Sequence, residues 1–256
     1  MTVAPDDPAL HNAVERLPWF HTSTHPDWPA EHFDPEAALS AATKEMFEQH
    51  GLSVASWAES QRAKALHIGT YEAAVHNMLR RIGAQGDRGK QFYLYRIRLK
   101  AEIAVRDSWI ADPGGLMGDV PLIDVCPPGV HAVRYRNDHE DPGGLSLALG
   151  RSAIDSTQRI EIPAATDHEC DHLWVHTAVA ELKDVTPTRR AKTHNLVDSL
   201  AQQLPVNLRG HFLTAVAFDE NQDTEEWASY TKGLVNMVTA PEIILAALDQ
   251  QPIRCL

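Results

Sequence analysis

The spacing of apolar residues in this 256-residue chain changes near Pro163, and that change most limits the folds that the chain can adopt. Before Pro163, apolar side chains alternate with polar ones in short runs, which predicts half-buried β-strands. The clearest of these runs are 92–99, 130–136, 145–149 and 158–162. One strong helical pattern lies among them, from Tyr71 to Ile82, with Thr70 as its N-cap and Gly83 as its end.

After Pro163 the apolar residues recur mostly at helical spacing. This spacing predicts helices at 188–203, 223–238 and 241–249, with a strand or buried segment at 211–218. The chain is therefore predicted to be an α+β protein, because strands and helices separate along the sequence instead of alternating regularly. We expect an α+β domain at 1–160 and a mostly α-helical C-terminal extension at 161–256.

The charge balance limits the partners that the chain can have. It holds 35 acidic against 23 basic side chains, a formal net charge of −12 at pH 7. A protein that binds nucleic acid through the phosphate backbone would rarely carry such a charge. Basic side chains cluster locally in three places, and each cluster could still receive a small anionic ligand, although solvated strand faces are the commoner explanation. The clusters are Arg80 with Arg81, Arg96 with Arg98 and Lys100, and Arg134 with Arg136.

Cysteine usage and hydropathy bear on the compartment. Three widely spaced cysteines fit a reducing environment better than a disulfide framework. No apolar run approaches the roughly 20 residues that a bilayer span requires, and the first residues lack the pattern of a signal peptide. We therefore expect a cytoplasmic protein without membrane contact.

Three stretches, taken in order, carry the functional signal. They are Trp19–Ser23 (WFHTS), Leu66–Thr70 (LHIGT) and Tyr135–Leu149 (YRNDHEDPGGLSLAL). Together they resemble the ADP-ribosyltransferase superfamily, and small bacterial and phage members in particular. The resemblance implies a split β-sheet core with flanking helices, NAD as a substrate, and transfer of ADP-ribose in phage–host or toxin-type conflict. The acceptor would be a protein or a nucleic acid, and the acidic charge favours a protein.

The same resemblance implies a set of NAD-binding residues. His21 would bond the adenosine-side ribose, while Thr22 and Ser23 would help to hold the ribose and the amide. His67 occupies the place of a stacking tyrosine, and a histidine there can stack and also hydrogen-bond a ribose or phosphate. The implied binding set is completed by Gly69, Tyr135 and Ser146.

A carboxylate near the reacting ribose would stabilise the positive charge that develops when the glycosidic bond breaks. Many family members carry a glutamate at the position of Ser146, and this chain does not. Glu140 and Asp141 stand earlier, in a turn, and could reach the site only if that turn folds over it. The resemblance implies His21, His67 and Glu140 as catalytic residues. The alternative is a catalytically inactive binding or scaffold protein on the same fold.

Each of these residues has an ordinary structural explanation when taken alone. His21 could be a histidine at the edge of the core, and His67 could simply lie beside a helix cap. The segment 140–144 has a good composition for a hairpin turn. Only the occurrence of all three stretches in this order favours a site.

Two further possibilities remain open from the sequence. The arrangement is also similar to the tRNA 2′-phosphotransferase branch, in which arginines surround a phosphate, and Arg134 or Arg136 could serve. Separately, His168, Cys170, His172 and His176 could bind a metal if they lie on a helix, since His172 and His176 would then be one turn apart. On a strand the same pair would lie about 13 Å apart, since each residue rises roughly 3.3 Å. We expect no metal there.

The C-terminal helices have an apolar face, and we expect most of it to be core. A smaller part could mediate self-association into a homo-oligomer or recognise a protein target.

Overall fold

A computed structural model describes residues 3–11, 13–37, 39–112, 119–163, 169–183, 189–218 and 222–256. The α+β class is confirmed. The helices of the described residues are α1 (Pro8–His11), α2 (Ala41–Gln49), α3 (Val54–Ala63), α4 (Tyr71–Ala84), α5 (Leu122–Val125), α6 (Glu169–Lys183), α7 (Arg189–Ala201), α8 (Val206–Ala215), α9 (Thr224–Thr239) and α10 (Pro241–Asp249). The strands are β1 (Trp19–Ser23), β2 (Leu66–Ile68), β3 (Phe92–Leu99), β4 (Val105–Ala111), β5 (Ala132–Arg136), β6 (Leu145–Leu149), β7 (Ile154–Ile162) and β8 (Arg254–Cys255).

The strands form two four-stranded sheets. The first has the order β1-β3-β7-β8 and is antiparallel throughout, with His21 paired to Tyr95. The second has the order β2-β6-β5-β4, in which only β4 and β5 run parallel. A two-way bridge joins the sheets, because Phe20 N–H donates to the Gly69 carbonyl at 2.8 Å and Gly69 N–H returns to Phe20 at 3.0 Å. The bridge sets the first and second of the three sequence stretches side by side.

Helix α4 leads out of this bridge. Thr70 caps it as predicted, its Oγ accepting the Ala73 N–H at 3.1 Å. Its apolar face is buried, with Met78 and Leu79 fully inaccessible to water. The predicted end at Gly83 is wrong by one residue, since the helix continues to Ala84. Gly83 instead allows close packing on α8, where an added Cβ would lie 3.2 Å from the backbone oxygen of His211.

The described residues after Pro163 are mostly helical, as their spacing predicts. The prediction differs from the structure at 211–218. That segment was predicted as a strand or buried segment, and most of it lies in α8, so the strand is ruled out. Phe212, Ala215 and Val216 are buried there. A short run of apolar residues does not by itself distinguish a buried helix from a strand.

Residues from both sides of position 160 share one apolar core. Its main cluster combines α4, β3 and β7 with the C-terminal helices. Tyr71 Oη donates to the Met237 carbonyl at 2.8 Å, and β8 pairs with β7, which brings the last residues back to the first sheet. Among the described residues, no single helix is long and apolar enough to cross a bilayer. Helices α9 and α10 meet that criterion only together, and the chain bends by 95° between them.

Candidate functional site

A cleft lies beside the bridge between the two sheets. Its inner part is a cavity of about 60 Å³, and its outer part has a volume of about 720 Å³. Six residues line both parts: His21, His67, Asn77, Tyr135, Asn137 and Glu140. Thr22, Gly69 and Ser146 line the inner part. A groove of 760 Å³ near the N-terminal segment contains none of the site residues implied by the sequence. The three stretches therefore meet in one cleft.

His21 forms one wall of the cleft. It lies on β1, and its ring stacks on the indole of Trp28 with centroids 4.1 Å apart and planes 19° apart. The ring also bonds to the main chain of His67. Burial lowers the pKa of His21 from 6.5 to about 3, and the nearby Arg81 and His67 act in the same direction. The imidazole is thus neutral at physiological pH.

Folding stability is expected to decrease as the pH falls from 6.5 toward 3. In that range the unfolded chain binds a proton at His21 that the folded protein does not, so acid favours the unfolded state. By pH 4.5 the loss from His21 is ~2 kcal/mol, less than its full pKa displacement implies, because pH 4.5 still lies above the folded pKa and because residue 21 is not fully buried. Urea unfolding at pH 7 and pH 4.5 measures this loss. The non-titrating His21→Asn variant should lose less stability, and equal losses in both proteins would contradict the assignment.

His67 and Tyr135 form the second wall. His67 Nδ1 lies 3.4 Å from Tyr135 Oη, and the rings meet edge to face at 5.6 Å. Burial and the charge of Glu140 raise the pKa of Tyr135, while a hydrogen bond with Ser146 opposes that shift. The phenol therefore keeps its proton across the physiological range and can act as a donor.

Glu140 reaches the cleft because its turn folds over α4. The turn is anchored at the Glu140 carbonyl, which lies 3.0 Å from His76 Nδ1. The carboxylate accepts from Arg80 at 3.0 Å, from Asn137 at 3.2 Å and from the Asn77 amide. The neighbouring Asp141 instead accepts from Thr70 Oγ1 at 2.9 Å, at the start of α4, and lines neither part of the cleft. Of the two turn carboxylates, only Glu140 faces the cleft.

The small predicted site residues mainly stabilise the fold around the cleft. Thr22 Oγ1 donates to the Ala74 carbonyl at 3.0 Å and so holds β1 against α4. Ser23 lines neither part of the cleft, and its Oγ accepts the His25 N–H at 3.1 Å. Ser146 Oγ accepts from Asn137 at 3.0 Å. Position 69 has little room for a side chain, because an added Cβ would lie 2.8 Å from Ser146 Oγ and 3.0 Å from the Ala73 Cβ.

The arginines of β5 bond to groups outside the cleft. Arg134 donates to the carbonyls of Ala9 and Arg106, and Arg136 pairs with Asp138 at 2.6 Å. Neither arginine lines the cleft, whereas Arg80 and Arg81 both do. Of the three basic clusters in the sequence, the pair Arg80 and Arg81 is therefore the one that lies beside the site.

The three side chains that donate to the Glu140 carboxylate, Asn77, Arg80 and Asn137, were not among the predicted site residues. Asn77 and Arg80 are three positions apart on α4 and so lie on one face of the helix. This spacing in the sequence could have indicated that the two residues belong to one site. Asn137 stands inside the third stretch, three residues before Glu140, which is the spacing of a side-chain-capped turn.

The possible metal ligands near position 170 fall in α6, so the helical alternative holds for Cys170, His172 and His176. His168 lies outside the described residues. Within the part of the chain that the structure describes, no group of three His, Cys, Asp or Glu side chains could hold a metal ion.

The chain matches no protein-family profile, no curated protein sequence and no solved structure.

Proposed function

We propose that this protein binds NAD in the cleft between its two sheets and transfers ADP-ribose from it to an acceptor. One observation carries the proposal. His21, His67 and Glu140 come from stretches about 45 and 70 residues apart in the sequence, and they line one cleft together with Tyr135 and Ser146. The sequence order that resembles ADP-ribosyltransferases corresponds to residues that are close in space.

The cleft has a size and chemistry that suit a dinucleotide. Its outer volume of about 720 Å³ falls in the range of roughly 300–1,000 Å³ typical of small-molecule sites. Neutral His21 and the amide of Asn77 can exchange hydrogen bonds with ribose hydroxyls and an amide. Lys64, Arg80 and Arg81 line the outer part, each beside a carboxylate, and they are the cations that could approach the two phosphates of NAD. A protein acceptor fits the net charge of −12 better than a nucleic acid.

The reaction breaks the bond between ribose and nicotinamide. Its electron pair moves to the ring nitrogen, neutral nicotinamide leaves, and an acceptor atom bonds to the ribose carbon and gives up its proton. Glu140 would stabilise the positive charge on the ribose side, since an oriented carboxylate close to developing charge lowers the barrier. The ring of His21, fixed by Trp28 and the His67 main chain, would orient the ribose.

Calorimetric titration of the purified protein with NAD tests the proposal. We expect a dissociation constant in the micromolar to sub-millimolar range, and slow release of nicotinamide when water is the acceptor. Absence of binding in the intact protein would overturn the assignment.

A non-catalytic NAD-binding or scaffold protein is the second candidate. It is favoured by Ser146, which stands where many relatives of the superfamily have glutamate, and by the three donors that already engage Glu140. Tight NAD binding with no nicotinamide release, in water or with added protein acceptors, would select this function over the transferase.

A further inference from the structure

Asn137 is the centre of a hydrogen-bonded chain along the floor of the cleft. Its Nδ2 donates both to Ser146 Oγ at 3.0 Å and to Glu140 Oε2 at 3.2 Å. Its Oδ1 accepts the Glu140 N–H at 3.1 Å. The side chain is only 3% exposed, so these bonds are shielded from competing water. One amide therefore fixes both the backbone and the carboxylate of Glu140.

The second oxygen of Glu140 is fixed from the opposite side. Arg80 Nη2 donates to Oε1 at 3.0 Å, and the Asn77 amide donates to the same oxygen. Both donors belong to α4, whereas Asn137 belongs to the turn after β5. A carboxylate held at each oxygen by a different element cannot rotate without breaking a bond, which is the condition for a preorganised group.

Asn137 also connects the carboxylate to the ring wall. Ser146, which accepts from Asn137, is hydrogen-bonded in turn to Tyr135, and Tyr135 Oη lies 3.4 Å from His67 Nδ1. Ser146 Oγ and Glu140 Oε2 thus bond to the same nitrogen atom. The Glu140 carboxylate, which belongs to the turn, is thus held beside Ser146, the position on β6 at which this chain has no carboxylate.

We propose that Asn137 is a positioning residue that holds Glu140 beside Ser146, so that a carboxylate from the turn replaces the missing carboxylate of the strand. The proposal rests on the proposed NAD-dependent function and names what makes Glu140 effective in it. Asn137 itself acts through Glu140 and is not assigned a contact with the reacting atoms.

The Asn137→Asp variant separates positioning from turn structure. An aspartate keeps the Oδ1 acceptor for the Glu140 N–H, and so it keeps the turn. It loses the Nδ2 donor and places a second carboxylate against Glu140. We expect the kcat of nicotinamide release from NAD to fall about tenfold or more, because misplacing a catalytic group by about 1 Å can cost on that order. KM for NAD should change less than about threefold, since binding contacts made equally before and during the reaction are retained.

A matched control makes the same asparagine-to-aspartate change at a residue outside the cleft. Asn207 is exposed on α8, lines neither part of the cleft, and Asn207→Asp should keep the kcat and KM of the unaltered protein. The exchanged pair Asn137→Asp with Glu140→Gln restores an amide–carboxylate bond with the groups reversed. It should recover thermal stability lost by the single variant without recovering kcat.

The outcomes separate this inference from the function on which it rests. A fall in kcat at nearly constant KM, not recovered in the exchanged pair, supports it. Unchanged kcat in Asn137→Asp, or kcat recovered in the exchanged pair, overturns it while NAD binding stands. NAD binding without any release of nicotinamide by the unaltered protein overturns the role of Glu140 but leaves the binding site. If the unaltered protein does not bind NAD, both the proposed function and this inference are overturned.

Discussion

Replacing His21 by alanine is expected to weaken NAD binding by about 100-fold or more, to the point where calorimetry detects none. Two losses combine in this variant. The ligand loses a neutral hydrogen-bonding partner, and Trp28 loses the ring that stacks on it at 4.1 Å and forms the cleft wall. Together these losses correspond to about 3 kcal/mol, within the range measured for removing a buried polar contact from a binding site.

The control must remove a histidine without disturbing the cleft. His50 is exposed at the C-terminal end of α2 and lines neither part of the cleft, so His50→Ala should bind NAD like the unaltered protein. A second variant, His21→Gln, keeps a hydrogen-bonding group and should lose less affinity than His21→Ala. Titrations of all four proteins, each with its melting temperature, measure the effect. If His21→Ala binds NAD as tightly as His50→Ala does, His21 is not part of the NAD site.

The convergence of the three stretches could be predicted in part from the sequence. The sequence predicts short strands near Leu17–Thr22 and at Ala65–Ile68, which overlap β1 and β2, and the Thr70 cap predicts the helix that follows. Sequence order alone does not report how a turn folds, because its direction depends on tertiary contacts. The position of Glu140 over α4 is set by Asn77, Arg80 and His76, which lie 60 or more residues away in the sequence. For this reason Asn77 was missed, and Arg80 was named from the sequence only as part of a basic cluster.

Helix α8 and strand β4 are among the elements that escaped prediction, for different physical reasons. Helix α8 was ambiguous because its apolar residues do not all mark one face: Leu208 and Phe212 are buried, whereas Val206 is 77% exposed. Strand β4 lacks alternation because it is an edge strand, and residues 106–109 are all exposed. Its pairing with β5 comes from the tertiary fold and not from a pattern in its own sequence.

Replacing Trp227 by alanine is expected to destabilise the whole protein by about 3–5 kcal/mol, the cost of emptying a buried aromatic site. Trp227 lies on α9 and is 1% exposed. Its Nε1 donates to the Val216 carbonyl at 2.8 Å, and its ring meets Phe218 edge to face at 5.3 Å. The variant loses this packing and leaves a buried carbonyl without its donor.

The effect should reach both halves of the chain, because Trp227 belongs to the same apolar cluster as Leu79 and Phe92. Urea unfolding followed by far-UV circular dichroism and by tryptophan fluorescence should give one coincident transition, shifted as a unit in Trp227→Ala. Leu173→Ala on α6 is the control, since this side chain is 68% exposed and its removal should cost under about 0.5 kcal/mol. Two separate transitions, with only one moved by the substitution, would show that residues 161–256 unfold independently. A single shifted transition would mean that the C-terminal helices stabilise α4, and through α4 the donors that hold Glu140 in the cleft.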